Sequence, residues 1–223
     1  MNIMGQYNED EFLNSYFGSK KNGVVVEIGA AYHDENSNSK FLIDRGWSAL
    51  LVEPNSIFFN NLSNIYKDND RIHLENVCAY SENLDSIDFY EYGQLSTLDT
   101  SFKERVQIDI DRGADKPHWS HSGNYLKKSI KCLKTSDLLL KYFKDIDFLS
   151  IDCEGSDFDV ILGIDFDNNN IKLICHEKQN PNQTFRGNGN VDSQISTFLE
   201  KNGFVKIFEN AGNVFFENIK IKN

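Results

Sequence analysis

The stretch GVVVEIGA, residues 23–30, is the clearest indication of the fold. Its valines and isoleucine follow one another almost without polar alternation, which is typical of a strand buried on both faces of a parallel sheet. Glu27 stands near the end of this strand, and Gly29 follows, where a sharp turn can bring a ligand close to the backbone. The stretch therefore predicts a first strand of an α/β sheet with a ligand site beyond its carboxyl end.

Helical and strand patterns alternate on both sides of this stretch. Apolar residues at helical spacing predict a helix before it and several after it. The predicted helices cover 9–17, 37–46, 57–65, 135–143, 158–162 and 191–199, with Gly18 ending the first and Thr135 capping the fourth. The predicted strands are 48–52, 72–77, 146–151, 171–175, 204–208 and 214–216. A turn over 209–213 joins the last two strands, so we expect a mostly parallel sheet with helices on both faces and a C-terminal antiparallel hairpin.

The chain reads as one domain over 1–223, because it contains no repeat and no low-complexity linker. Residues 1–22 are predicted to be an N-terminal helical extension. Residues 92–128 show no sustained period and contain Trp119 between His118 and His121. A segment of this length without elements is either a functional lid or disordered, and the Trp119 flanked by histidines favours a lid over the substrate.

Composition excludes several classes of protein. A net charge of −11, from 23 basic and 34 acidic residues, disfavours a general nucleic-acid binder. No apolar run is long enough to span a membrane, and no secretory signal is visible at the start. Four cysteines stand far apart, which is typical of reduced thiols in a cytoplasmic protein.

Carboxylates follow four of the predicted parallel strands. These are Glu27, Glu53, the pair Asp152 and Glu154, and Glu177, which follows His176. Ionised groups at one edge of a sheet repel one another, so stability does not explain them. The pattern favours a binding or catalytic site at this edge.

Glu53 is placed where an acidic side chain can accept hydrogen bonds from a ribose diol. An ordinary solvated carboxylate is the alternative. A nicotinamide cofactor would use the same acid, but it requires G-x-G-x-x-G to hold a pyrophosphate, and here only Gly29 is present. S-adenosylmethionine carries a ribose and a positive charge but no phosphate, and it fits the loop better.

Short motifs in order along the chain resemble the FkbM family of class I methyltransferases. They are 26–30 (VEIGA), 37–39 (SNS), 46–47 (GW), 51–55 (LVEPN), 76–79 (NVCA), 146–155 (IDFLSIDCEG) and 162–163 (LG). The resemblance covers about residues 23–208. It implies the Rossmann-like class I methyltransferase fold with a seven-stranded sheet, S-adenosylmethionine as methyl donor, and methylation of a hydroxyl oxygen.

The resemblance also implies roles for individual residues. Glu27, Gly29 and Ala30 are expected to bind the methionine part of the donor, and Glu53 with Pro54 and Asn55 its ribose. Ser37 and Asn38 are expected to close over the donor. Cys78 and Ala79 would line the adenine slot, and Asp152 would face the sulfonium. One departure concerns the loop after the first strand. Many members have Asn-x-Gly or Asp-Gly there, whereas this chain has Ala-Tyr-His at 31–33.

Methyl transfer to oxygen requires alignment of the acceptor hydroxyl and removal of its proton. The candidate catalytic residues are Asp152, Glu154 and His176, with His118 and His121 as further candidates. A lone histidine is more often structural than catalytic, but the place of His176 beside Glu177 and across from Asp152 favours a catalytic role as much as a structural one. Alternatively, Asp152, His176 and Glu177 could bind magnesium or manganese, which would orient a sugar diol and lower the pKa of its hydroxyl.

The acceptor is expected to be a small hydroxylated molecule, because an acidic surface and polar lid disfavour nucleic acids and lipids. A sugar or nucleotide-activated sugar for surface glycans is preferred. The alternatives are a secondary-metabolite hydroxyl, a methyltransferase-like binding module without turnover, and a nicotinamide oxidoreductase. The sequence gives no indication of oligomeric state.

Overall fold

The structure, a computed structural model, describes residues 7–32, 37–111, 124–178 and 191–221. The helices of these ranges are α1 (Glu9–Phe17), α2 (Lys40–Asp44), α3 (Ser56–Tyr66), α4 (Thr100–Asp111), α5 (Thr135–Tyr142), α6 (Asp157–Leu162) and α7 (Val191–Lys201). The strands are β1 (Val24–Ile28), β2 (Ser48–Val52), β3 (Ile72–Glu75), β4 (Cys78–Tyr80), β5 (Leu84–Glu91), β6 (Leu126–Lys134), β7 (Asp145–Ile151), β8 (Asn170–Glu177), β9 (Phe204–Glu209) and β10 (Asn213–Asn218). Among the described helices, none combines the length and the apolar character that crossing a bilayer requires.

Seven strands form the main sheet in the order β3-β2-β1-β7-β8-β10-β9. The pairs from β3 to β8 are parallel, and β10 is antiparallel to both of its neighbours. The predicted fold class is confirmed, including the C-terminal hairpin. The strand order reverses between β1 and β7, and an open sheet of this kind binds ligands beyond the carboxyl ends of its strands at that point.

Both faces of the main sheet are covered by apolar side chains. Val26 and Ile28 of β1 face the layer that contains α5, α6 and α7, whereas Val25 faces the layer of α1 and α2. Leu13 of α1 is fully buried against this second face, so the predicted N-terminal extension packs on the sheet. Burial on both faces explains why β1 is apolar at consecutive positions.

A second sheet, with the order β4-β6-β5, corrects the prediction for the middle of the chain. Residues 92–128 were expected to lack regular elements, but they contain α4 and the start of β6. Most side chains of β5 and β6 are exposed or only partly buried, so the sequences of these strands carry little of the apolar pattern on which a strand prediction depends. Residues 118, 119 and 121 of the predicted lid lie outside the described residues.

Two further predictions differ from the structure in detail. The strand β8 continues to Glu177, so His176 and Glu177 lie within the strand and not after it. Thr135 is the first residue of α5 and caps no helix, because its hydroxyl hydrogen-bonds the Val160 carbonyl at 2.8 Å. This contact joins α5 to α6 across the chain, which no local pattern could indicate.

Candidate active site

The turn after β1 lies against the turn after β7. Gly29 has a φ of +88°, a conformation that glycine adopts without a steric penalty. A Cβ atom on Gly29 would overlap the carbonyl oxygen of Asp152. The Asp152 amide in turn donates to the Ile28 carbonyl at 3.0 Å. Gly29 is therefore required by the neighbouring turn, in addition to any close approach of a ligand.

Glu53, directly after β2, is a buried carboxyl that is 5% exposed. Its Oε2 accepts a hydrogen bond from the Ala31 amide at 2.8 Å, and its Oε1 accepts one from the Asn55 amide at 2.7 Å. Burial raises the pKa of Glu53 to about 7, and the two amides act in the opposite direction. Glu53 thus connects the turn after β1 to the start of α3.

The loop that carries Glu53 is held by side chains on both sides. Asn55 caps α3, because its Oδ1 accepts from the Ile57 amide at 2.9 Å. Asn76, after β3, donates from Nδ2 to the carbonyls of Glu53 at 2.8 Å and Pro54 at 3.0 Å. These contacts fix the carboxyl of Glu53 at the edge of the sheet.

Glu27 is a buried carboxylate whose oxygens accept hydrogen bonds from a turn before α2. The donors are the Ser37 hydroxyl at 2.9 Å, the Ser39 hydroxyl at 2.6 Å and the Asn38 amide at 3.0 Å. The side chain of Asn38 continues to Ser150 of β7, with Nδ2 at 3.2 Å from the hydroxyl. Glu27 therefore orders the turn that the family resemblance assigns to closure over the donor.

We expect Glu27→Gln to lower the free energy of unfolding by about 1–2 kcal/mol, because the amide replaces one acceptor oxygen by a donor. Urea unfolding measures this loss. Glu11→Gln, at an exposed position of α1, is the matched control and should stay within about 0.5 kcal/mol of wild type. Equal stabilities of the two variants would contradict the role of Glu27.

Cys78 and Ala79 lie in β4, where Cys78 is the register partner of Cys132 in β6. Both thiols are buried and free, and hydrogen bonding to Cys132 raises the pKa of the Cys78 thiol. Ala79 is 4% exposed. The two residues lie next to the Glu53 loop, since β4 directly follows β3 and Asn76.

Three carboxyl groups converge at the carboxyl ends of β7 and β8. Atoms of Asp152, Glu154 and Glu177 lie within 4.8 Å of one another, close enough to surround one cation or one polar group. Burial raises the pKa of Asp152 and of Glu177, and the neighbouring carboxylates raise the pKa of Glu177 further. A side-chain hydrogen bond joins these two residues. We call Asp152, Glu154 and Glu177 the carboxyl trio.

His176 is not brought to the carboxyl trio. Alternation along β8 directs it to the face of Ile174, where its ring stacks on Phe216 with the centroids 5.8 Å apart. Glu177 follows the opposite alternation and reaches Asp152. The His176 side chain is fully buried, its Nδ1 hydrogen-bonds the Glu177 carbonyl at 2.9 Å, and burial lowers its pKa. The expected set of Asp152, His176 and Glu177 is thus replaced by the trio, because neighbouring strand residues point to opposite faces.

A turn between β5 and α4 spans the site, and no sequence pattern indicated it. The Thr97 hydroxyl donates to the Glu154 carbonyl at 2.7 Å, and Glu154 has a φ of +48°. Asn55 Nδ2 donates to the Ser96 hydroxyl at 3.2 Å. The turn therefore bridges the Glu53 loop and the carboxyl trio. Thr97 and Glu154 are 57 positions apart in the chain, so no local motif could reveal the contact.

A family model described as "Methyltransferase FkbM domain" matches residues 27–206. No curated protein matches the sequence significantly. Solved structures similar to this chain include precorrin-6y C5,15-methyltransferase from Geobacter metallireducens, with 11% identity and a TM-score of 0.44. The match covers 97% of this chain and 89% of that one. TrmK from M. capricolum, in complex with S-adenosylhomocysteine, has 8% identity, a TM-score of 0.47 and coverage of 97% and 70%. A ribosomal protein L11 methylase from Lactobacillus delbrueckii has 10% identity, a TM-score of 0.46 and coverage of 93% and 76%. Such TM-scores carry no information on the substrate.

Proposed function

The chain belongs to the FkbM family of methyltransferases, and on this premise we propose that it methylates a hydroxyl oxygen of a sugar or nucleotide-activated sugar with S-adenosylmethionine as the donor. The family match carries the proposal, because residues 27–206 include the Glu53 loop and the whole carboxyl trio. Surface glycan biosynthesis is the process in which we place the reaction.

The residues after β1 and β2 support the choice of donor. Glu53 offers a buried carboxyl at the end of β2, where the two hydroxyls of a ribose can donate to it. Gly29 and Ala30 line the adjoining turn, and the Glu27 network holds Ser37 and Asn38 beside it. When bound, the donor supplies an electrophilic methyl group at the point where the strand order reverses.

The carboxyl trio is proposed to act on the acceptor. In the displacement, the acceptor oxygen forms a bond to the methyl carbon as the carbon–sulfur bond breaks, and the hydroxyl proton must leave. Asp152 is assigned to take this proton, because it stands at the end of β7 beside the turn after β1, where the donor is proposed to bind. Glu154 and Glu177 are assigned to orient the acceptor hydroxyls. His176 is the weaker candidate, because its ring is buried on the other face of the sheet.

A metal-assisted form of the reaction uses the same three side chains. Carboxylate oxygens are the ligands that magnesium and manganese prefer, and the trio brings three of them together. Such an ion would hold the acceptor hydroxyl and lower its pKa. Loss of activity with a chelator and its recovery with magnesium or manganese would support this form, and full activity with the chelator would exclude it.

The charge of the trio bears on the acceptor. Asp152 and Glu154 raise the pKa of Glu177, because they oppose a further negative charge at this place, and a phosphate or carboxylate beside the reacting hydroxyl would meet the same repulsion. A neutral or amino sugar ring is therefore preferred at the trio, with any diphosphate located further out. A secondary-metabolite hydroxyl is the second candidate acceptor, and a binding module without turnover is the alternative of another class.

Mass spectrometry of a panel of acceptors tests the proposal. Neutral sugars, amino sugars, uronic acids and their nucleotide-activated forms are incubated with the enzyme and S-adenosylmethionine, and a gain of one methyl group is sought. Methylation of neutral or amino sugars in preference to uronic acids is the expected result. Methylation of secondary-metabolite hydroxyls alone would favour the second candidate, and donor binding without any methylated product would favour the binding module.

Asp152→Asn is expected to reduce the methylation rate by about 10²–10⁴-fold while the donor affinity changes little, because removal of a general base affects the chemical step. The rate is measured with the acceptor from the panel, and the affinity by calorimetry. Asp70→Asn is the matched control, since this exposed residue precedes β3 at the amino edge of the sheet. A rate of Asp152→Asn equal to that of the control would remove Asp152 from the chemistry.

A further inference from the structure

We propose that binding of the donor expels a proton from Glu53, so that donor affinity and the ionisation of this buried carboxyl are linked. The inference rests on the proposed function in one respect, namely that the donor is S-adenosylmethionine. It goes beyond that function, because it concerns the state of the site before the donor arrives.

The pocket of Glu53 is closed on several sides by the chain itself. The carboxyl lies between the turn that contains Ala31 and the first turn of α3, and each oxygen already accepts one backbone amide. Each oxygen of an ionised carboxylate can accept about two hydrogen bonds, so the donors among the described residues leave one position on each oxygen for a ligand. Two ribose hydroxyls would fill these positions.

The charged and titratable groups that face Glu53 come from every neighbouring element. They are Glu91 of β5, Asp152 after β7, Cys153 beside it, and Cys78 of β4, and Lys128 of β6 acts through its ion pair with Glu91. Lys128 forms an ion pair with Glu91 and also donates to the Ser56 hydroxyl at 3.1 Å. The positive charge of Lys128 is therefore paired with Glu91. The negative charges of Glu91 and Asp152 still oppose ionisation of Glu53.

Burial outweighs the hydrogen bonds in the free protein. Loss of hydration is the largest effect on Glu53, the two amides partly compensate it, and the pKa rises from 4.5 to about 7. Below neutral pH most molecules therefore hold a neutral carboxyl at this position. A neutral carboxyl carries a hydroxyl proton of its own and has fewer acceptor positions for a diol.

The donor reverses this balance. Two ribose hydroxyls donate to the carboxylate, and hydrogen bonds to a charged group are stronger than those to a neutral one. The positive charge of the donor adds a favourable interaction with the same ionised form. The bound state therefore favours the carboxylate, and the proton that Glu53 held is released to the solvent.

Calorimetry measures the released proton directly. S-adenosylmethionine is titrated into the wild-type protein at pH 6 in two buffers with different ionisation enthalpies, and the difference in apparent heat gives the number of protons. With a pKa of about 7, we expect about 0.9 proton per donor at pH 6 and about 0.1 at pH 8. The affinity should rise about tenfold over the same interval.

Two variants assign the proton. Glu53→Gln cannot ionise, so its donor binding should release no proton at pH 6, whereas a proton from the donor's own amino group would remain in this variant. Glu91→Gln removes a carboxylate that opposes ionisation and leaves Lys128 without its partner, so the release should shift to lower pH. This second variant keeps the test informative if Glu53→Gln binds too weakly to titrate.

The outcomes separate the inference from the proposed function. Tight binding at pH 6 without proton release, or release that persists in Glu53→Gln, would overturn the linkage and leave the donor assignment intact. An unchanged profile in Glu91→Gln would also contradict it. Absence of binding to the wild-type protein at every pH would overturn the donor assignment itself.

Discussion

Replacing Gly29 by alanine is expected to lower the free energy of unfolding by at least about 4 kcal/mol and to abolish donor binding. The φ of +88° alone costs an alanine about 1–2 kcal/mol. The new Cβ would in addition overlap the Asp152 carbonyl oxygen, which is backbone and cannot rotate away. The turns after β1 and β7 would have to separate, and both carry residues of the candidate site.

Urea unfolding and donor calorimetry measure the two effects. Gly18→Ala is the matched control, because Gly18 has a φ of +54° but no atom within 4 Å of the added Cβ. It should lose only the backbone contribution, about 1–2 kcal/mol. Equal losses in the two variants would mean that the approach of Asp152 to Gly29 does not constrain the fold.

Glu53→Ala is expected to weaken binding of S-adenosylmethionine by at least about 100-fold at pH 8. Two hydrogen bonds from a ribose diol to a carboxylate contribute about 1.5–3 kcal/mol each, and both are lost. The Ala31 and Asn55 amides would also lose their acceptor. Calorimetry with Glu82→Ala, an exposed position, provides the control. An affinity within threefold of that control would exclude Glu53 from donor binding.

The stability of the donor-free protein should depend on pH through the same residue. The pKa of Glu53 is about 7 in the folded state and 4.5 as its ordinary value, so the unfolded chain loses this proton first as the pH rises. Stability from this group is therefore present below about pH 4.5 and decreases up to about pH 7. Glu53→Gln should lack this decrease, and thermal unfolding at pH 5 and pH 8 measures it. A decrease as large in the variant as in the wild type would assign it to other groups.

The predictions for the main sheet were confirmed where apolar patterns were strong. Strands such as β1 and β2 are apolar at consecutive positions because helices cover both faces, and this signal is local. The sequence did not predict β5 and β6, whose side chains are mostly exposed or only partly buried. Strands of this kind are recognised by their pairing with one another, which a single segment does not reveal.

The amino-acid sequence by itself determined the α/β class, the order of the main elements, the antiparallel hairpin and the carboxylates at the strand ends. Only the tertiary structure decided which of these groups meet. Glu177 joins Asp152 and Glu154, His176 turns to the other face, and Thr97 holds the Glu154 carbonyl. The physical reason is that periodicity arises from the geometry of one element, whereas burial and hydrogen bonding at the site arise from residues far apart in the chain.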